Sequence, residues 1–208
     1  MNNILLITSS PRGEASFSTT VATALAGRLA DANPGAVVTH RDLGADPLPH
    51  LDGMLLGALG AANRDGLSPQ VLASALRADA AIAQLLAADV IVIAGAMINF
   101  GMPTQLKAWF DHVVRAGVTF NYSDSGPKGL VTGKKVYVVT ASGNVYSQGP
   151  AAPLDFMAPH LKTMLTFMGL SDIEHIAVVG VMLAPDAAEK AVTVALQKVQ
   201  SLTLEAAA

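Results

Sequence analysis

Cysteine is absent from all 208 residues. That excludes disulfides, thiolate catalysis and Cys-ligated zinc or iron-sulfur centres, and it fits a reducing compartment. Charge is sparse as well: the 13 Lys and Arg are scattered and the net charge is -3. Binding to nucleic acid needs grouped cations to neutralise phosphates, so that class of partner is excluded. Long apolar runs are missing too. The longest, around Val90 to Ala96, falls far short of the ~18 residues a membrane helix needs. The opening MNNILLITSSPRG has no basic leader, and its apolar run stops after Ile7, too short for the core of a signal peptide. A first strand, no membrane partner and a cytoplasmic protein are therefore expected. Metal-ligand spacing is also lacking: His40, His50, His112, His160 and His175 form no zinc pattern, so no metal is expected. His112 is expected on the polar side of its helix, as a surface or interface residue.

What is present is an alternation of apolar runs and helical periods over a length that suits one domain, residues 1–208. Asn3 to Thr8 reads as a strand. A helix follows, N-capped by Ser16 or Ser18, with Val21, Leu25 and Leu29 at four-residue spacing and a stop at Asn33, Pro34 and Gly35. Val37 to Arg41 is a second strand. The connection from Asp42 to Ser68 is long, and its Leu51, Met54, Leu55, Leu56 and Leu59 predict that part of it packs as a helical turn. Ser68 and Pro69 open a helix to about Leu86 with Leu72, Leu76, Ile82 and Leu86 as its apolar positions. A doubly buried strand from Asp89, a helix from Pro103 to Ala116 ended by Gly117, and a loop from Thr119 to Thr132 come next. Lys134 to Thr140 is a fourth strand, Pro153 to Met168 a helix, Ile173 to Val181 a fifth strand and Pro185 to Leu204 a last helix. Strands alternating with helices predict an α/β fold: a doubly wound parallel sheet of five strands in the flavodoxin-like order 2-1-3-4-5. In that order the winding reverses between strands one and three. The loops after Thr8 and after Ala94 then line a crevice, with the loop at Ala141 alongside.

Those loops carry the unusual residues. The first, SSPRGEASFS, holds Ser9, Ser10, Ser16 and Ser18, the cation Arg12 and a helix N-terminus. Capping needs one serine, not four, and free amides at a positive dipole end suit a phosphate. Gly129 to Lys134 is one residue too short for a Walker loop and precedes a strand, so ATP is disfavoured. Hydroxyls without a lysine fit one phosphomonoester, as in a mononucleotide such as FMN. The second loop offers Met97, Asn99 and Phe100: an amide that both donates and accepts, beside an aromatic wall. The third, TASGNVYSQG, brings Ser142, Gly143, Asn144 and Tyr146, small residues that let backbone approach a flat ligand. Ser147 has Val145 where a nucleophile elbow needs Gly. The paired acids of a response regulator are replaced by Thr8, Ser9, Ala94 and Gly95.

The segments SSPRGEASFS, GAMINFGMPTQLKAWFDHVVRAGVTFNY, GPKGLVTGKKVYVVTASG and RDLGADPLPHLDG resemble the FMN-dependent NADH azoreductases, which also act as quinone reductases, over essentially the whole chain. The resemblance implies a homodimer with one FMN per subunit near the interface, and a ping-pong hydride transfer from NADH or NADPH to a quinone or azo compound. It implies that Ser10, Ser16, Phe17 and Ser18 hold the FMN phosphate. Met97, Ile98, Asn99 and Phe100 would line the isoalloxazine, with Ala141, Ser142, Gly143 and Asn144 at its other edge. Phe100, Tyr122 and Phe167 would wall the substrate pocket, Tyr122 reaching across the dimer, and Tyr146 would affect turnover with Asn99 and Phe100. No protein acid or base is assigned as catalytic, because the flavin carries the chemistry. The family has Pro and Tyr where Ala96 and Ile98 stand, and a Ser-Arg-Gly-Gly run where this chain has Ala141 to Asn144. The alternative is a flavodoxin-like electron carrier, which is usually strongly acidic to dock partners; a net charge of -3 weighs against it.

Overall fold

In a computed structural model, which describes residues 2–61 and 63–203, the chain forms one five-stranded parallel sheet. The strands β1 (Asn3–Thr8), β2 (Val37–Asp42), β3 (Val90–Ala96), β6 (Lys135–Ser142) and β7 (Asp172–Val179) stand in the order β2-β1-β3-β6-β7, the order expected. Central strands read as unbroken apolar runs because both faces are covered: Val90 to Gly95 are all buried. One face packs against α3 (Pro69–Ala87), α4 (Thr104–Val113) and α5 (Met157–Phe167), with Ile91, Ile93, Leu106, Trp109, Phe110 and Leu161 in its core. The other packs against α1 (Phe17–Asp31) and α6 (Ala187–Ser201) around Ile4, Val21, Leu25, Leu29, Val92 and Val178. Burying each such side chain contributes about 1.5–3 kcal/mol. No described helix is long and apolar enough to cross a membrane.

The long connection contains α2 (Gly53–Gly60), capped by Asp52, whose carboxylate accepts from Leu55 N at 2.8 Å. Ser68 caps α3 through Val71 N at 3.3 Å. The buried stripe of α3 is Ala75, Ala78, Ala81, Ile82 and Leu85, however, and Leu76 and Leu86 are exposed. Small alanines face the neighbouring elements at close approach and displace the larger leucines to the outside. α4 ends at Val113, earlier than Ala116, because Thr119 Oγ1 accepts from Arg115 N at 2.8 Å and donates to Val113 O at 2.7 Å, turning the chain out of the helix. His112 is fully buried, contrary to the surface position expected. The 42–68 connection lies over it, and its Nε2 meets Pro49 O at 2.8 Å.

The segment expected as a loop is a hairpin, β4 (Phe120–Ser123) with β5 (Gly126–Gly129). Its sequence is too rich in Gly, Pro and Ser to read as strands. Tertiary packing supports it: a Cβ at Gly129 would run into the backbone of Met168 and Gly169. α5 starts at Met157, after a 3-10 turn over Gly149–Leu154 that takes up the predicted first turn. α6 ends at Ser201; Leu204, the predicted end, lies outside the described residues.

Candidate functional site

All five parallel strands end on the same edge, so their following loops converge there. Ser9, just beyond β1, is buried and donates from Oγ to Ala94 O at 2.8 Å, tying the first loop to β3. Gly95 permits this approach, since a Cβ there would meet Met157 Cε at 2.8 Å and Ser9 Oγ at 3.3 Å. Ser10 Oγ accepts from Arg12 N at 3.3 Å, and the chain then turns through Gly13–Ala15 into α1. Ser16 occupies the N-cap position of α1 without capping it through its side chain. Its hydroxyl pairs with that of Ser18 at 3.1 Å, both buried. The first amides of the helix therefore keep their donors for another acceptor. The Arg12 guanidinium lies 5.1 Å from the centroid of the Phe17 ring, held at the same turn.

The loop after β3 carries the sharpest backbone feature of the chain. Ile98 and Gly101 exchange two backbone hydrogen bonds of 3.0 Å. Between them Asn99 and Phe100 sit at φ 46° and 71°, the only two non-glycine residues at positive φ among those described. Two central residues at positive φ make the turn of a tight hairpin. Asn tolerates that conformation, but Phe adopts it only where the surroundings hold it. Phe156 N does so, donating to Phe100 O at 3.1 Å. The Phe100 ring is 41% exposed and meets Tyr146 edge-on, centroids 5.8 Å apart.

The loop after β6 is drawn in by Met97 N, which donates to Ala141 O at 2.7 Å. Ser142 Oγ donates to Asn144 O at 2.7 Å. A fourth loop, after β7, joins it: Val181 N donates to Ser142 O at 3.2 Å and Met182 N to Gly143 O at 3.0 Å. A side chain at Gly143 would strike Met182 Sδ at 2.9 Å.

These loops enclose a cleft of about 310 Å³. The first loop contributes Ser10, Arg12, Ser16 and Phe17, the second Ala96 and Met97, the third Ala141, Ser142 and Gly143, and the fourth Val181 and Met182. Ser18 is buried beside Ser16, while Ile98, Asn99, Phe100 and Asn144 are exposed in the same loops outside the lining. Of the expected aromatic walls, Phe100 pairs with Tyr146, whereas Tyr122 and Phe167 gather around Phe120, at 5.4 and 4.6 Å, on the hairpin. Within one chain the two aromatic groups are separate. Arg12, read from the sequence as the cation of the anion turn, lines the cleft, and so do two residues that the sequence reading did not assign to the ligand, Val181 and Met182. The signal for the last two was available: a fifth parallel strand must also end at this edge.

The donor set suits FMN. Two hydroxyls, a guanidinium and an uncapped helix N-terminus match a phosphomonoester dianion. Ala96, Ala141 and Gly143 leave room for a flat ring, and the volume lies at the lower end of ligand pockets, about 300–1,000 Å³.

A family described by its flavodoxin-like fold matches residues 2–202. An FMN-dependent NADH:quinone oxidoreductase 1 of Rhizobium etli is 52% identical over 99% of this chain and 100% of its own length. The chain belongs to that quinone oxidoreductase family. A second member, from Rhizobium johnstonii, is also 52% identical over 99% of this chain and 100% of its own. Among solved structures, an azoreductase from Bacillus anthracis superposes with a TM-score of 0.86 at 29% identity, covering 96% of this chain and 97% of that one.

Proposed function

We infer that this protein is an FMN-dependent NAD(P)H oxidoreductase that reduces quinones and azo compounds in a ping-pong cycle. The observation that carries this reading is the cleft at the switch point between β1 and β3, where an anion end made by Ser10, Arg12 and Ser16 opens beside Ala96 and Met97, the residues that lead into the strained Asn99–Phe100 turn. FMN held there would supply the hydride chemistry between nicotinamide and acceptor. The residues do the holding. Ser10, Ser16, Arg12 and the amides of Phe17 and Ser18 fix the phosphate. Met97, Ile98, Asn99, Ala141, Ser142, Gly143 and Asn144 border the ring, with the amide of Asn99 offered to its polar edge. Phe100 and Tyr146, already edge to face, form one wall for a flat acceptor. In a homodimer with one FMN per subunit, each subunit a single domain, Tyr122 and Phe167 supply the opposite wall from the partner. Tyr122 is 77% exposed, as a side chain reaching outward would be. The protein acts in the cytoplasm, a reading with which a chain free of cysteine is compatible.

The purified protein is expected to be yellow, to bleach on anaerobic NADH addition and to regain its colour with a quinone. Asn99→Ala is expected to keep FMN and lower turnover by about tenfold, the loss of one hydrogen bond worth about 1.4 kcal/mol. A colourless protein that refuses added FMN overturns the reading, and a yellow one that NADH does not bleach makes it an electron carrier instead.

A further inference from the structure

A second cleft, of about 550 Å³, lies between the edge strand β7 and α5, lined by Ser147, Asp155, Lys162, Ser171, Ile173 and His175 among others. Inward of it is a chamber of about 20 Å³ bordered by Met97, Thr140, Ser142, Tyr146, Asp155 and His175. Ser147, Asp155, Ala158 and His175 line both spaces, so the outer cleft leads to the chamber, and the chamber ends on Met97 and Ser142, which also line the flavin cleft. One water needs ~10–15 Å³ and two to four polar partners. The chamber offers both.

The hydrogen bonds along this line are arranged for transfer. His175 Nε2 meets Thr140 Oγ1 at 2.8 Å. Its Nδ1 makes no hydrogen bond among the described residues and is not one of the fully buried unpartnered atoms, so it stays open to the cleft. Asp155 accepts the amides of Met157 and Ala158 through Oδ1, both at 2.9 Å, which fixes its carboxylate and leaves Oδ2 as an acceptor. Tyr146 stands at the inner end, edge-on to Phe100.

We propose that His175, with Thr140 and Asp155, is a proton inlet that joins solvent in the β7–α5 cleft to the back of the flavin loops. This rests on the FMN reading above. The balance of the reaction requires a proton: NADH, a quinone and one H⁺ give NAD⁺ and a hydroquinone, with two electrons and one hydrogen arriving as hydride and the second hydrogen as a proton from solvent. An acceptor bound at the mouth of the flavin cleft would displace the water there, and the β7–α5 cleft gives the proton a second way in. A neutral imidazole passes a proton by taking one at Nδ1 as it gives up the one at Nε2, here toward the Thr140 hydroxyl, a chamber water, and then Tyr146. Burial holds the His175 imidazole below its ordinary pKa, keeping it neutral near pH 7. Asp155 opposes that shift from the start of α5 and Glu174 from β7, while Lys198 on α6, which donates to His175 O at 2.7 Å, reinforces it. Lys162 on α5 faces the same cleft.

His175→Ala, loaded with FMN, is expected to bind FMN and bleach with NADH as the wild type does, while kcat for quinone falls about tenfold or more, within the range of general acid–base groups. Imidazole in the buffer, which the cleft has room for, is expected to restore that kcat saturably and to leave the wild type unchanged. His175→Gln, which preserves bulk and a partner for Thr140, is expected to show the same loss and serves if the alanine variant fails to fold. Independently of turnover, an NMR titration of His175 in the FMN-free protein is expected to move downward in pKa on Asp155→Asn. A His175 variant with wild-type kcat, a loss that imidazole does not restore, or a titration indifferent to Asp155 overturns the inlet. A wild type that holds no FMN overturns the underlying reading instead, and the titration is read in either case.

Discussion

Phe100 holds a conformation that its residue type disfavours. At φ 71° its Cβ crowds the backbone, at about 1–2 kcal/mol for a residue with a side chain. Glycine has no such penalty, so Phe100→Gly is expected to be more stable than Phe100→Ala by about 1 kcal/mol, read as the difference in urea midpoints. Both variants are expected to lose quinone turnover through the missing ring. Equal stabilities would mean that the turn relaxes once the ring is gone. At this scale the sequence was partly legible. Asn99, Phe100 and the serines stood out by residue type, but the positive φ of both turn residues did not, and at Phe100 it is held by Phe156 from 56 positions away. Likewise Ser16 looked like a cap, and only the geometry shows its hydroxyl turned to Ser18 instead.

Among the elements, α4 shows how periodicity can identify a helix and still misjudge one of its faces. Of the apolar residues at helical spacing from Pro103 to Ala116, Leu106, Trp109, Phe110 and Val113 are buried and Val114 is half-buried. His112 was assigned to the outside because it is polar and the 42–68 connection has no period from which its course could be read. Its burial carries a pH signature. Desolvation, the largest influence, holds its folded-state pKa below the ordinary 6.5, against the hydrogen bond to Pro49. The unfolded chain then binds more protons than the folded one as pH falls through 6.5, so this stability is present above that value and is lost below it. The urea midpoint is expected to drop from pH 7 toward pH 5, by up to about 1.4 kcal/mol per pH unit for one such histidine. His112→Gln is expected to flatten that slope. His175, shifted in the same direction, retains part of it. Asp79, held below its ordinary 3.8 first by Arg64 and also by Arg115, loses its contribution only in more acidic solution. A slope unchanged in His112→Gln would place the titrating group elsewhere.

For the whole molecule, the separation of Phe100 and Tyr146 from the Phe120, Tyr122 and Phe167 group bears on the proposed dimer. If Tyr122 serves the partner's site, Asn99→Ala and Tyr122→Ala homodimers are each impaired at both sites, but a mixed dimer has one site with both residues intact. Co-expressed variants are expected to recover activity that neither shows alone, measured as quinone turnover per FMN. No recovery in verified mixed dimers would return Tyr122 to its own subunit. The sequence by itself determined the strand order and the convergence of three loops, because buried strands need continuous apolar runs and a parallel sheet brings every strand's C-terminal end to one edge. It also supplied the hydroxyls and the cation of the serine-rich first loop, residue types that carry their chemistry locally. Tertiary structure alone decided the hairpin at Phe120–Gly129, the alanine stripe of α3, the burial of His112, and the pairing of His175 with Thr140. Each of these depends on contacts between residues far apart in the chain, and local pattern holds no record of such contacts.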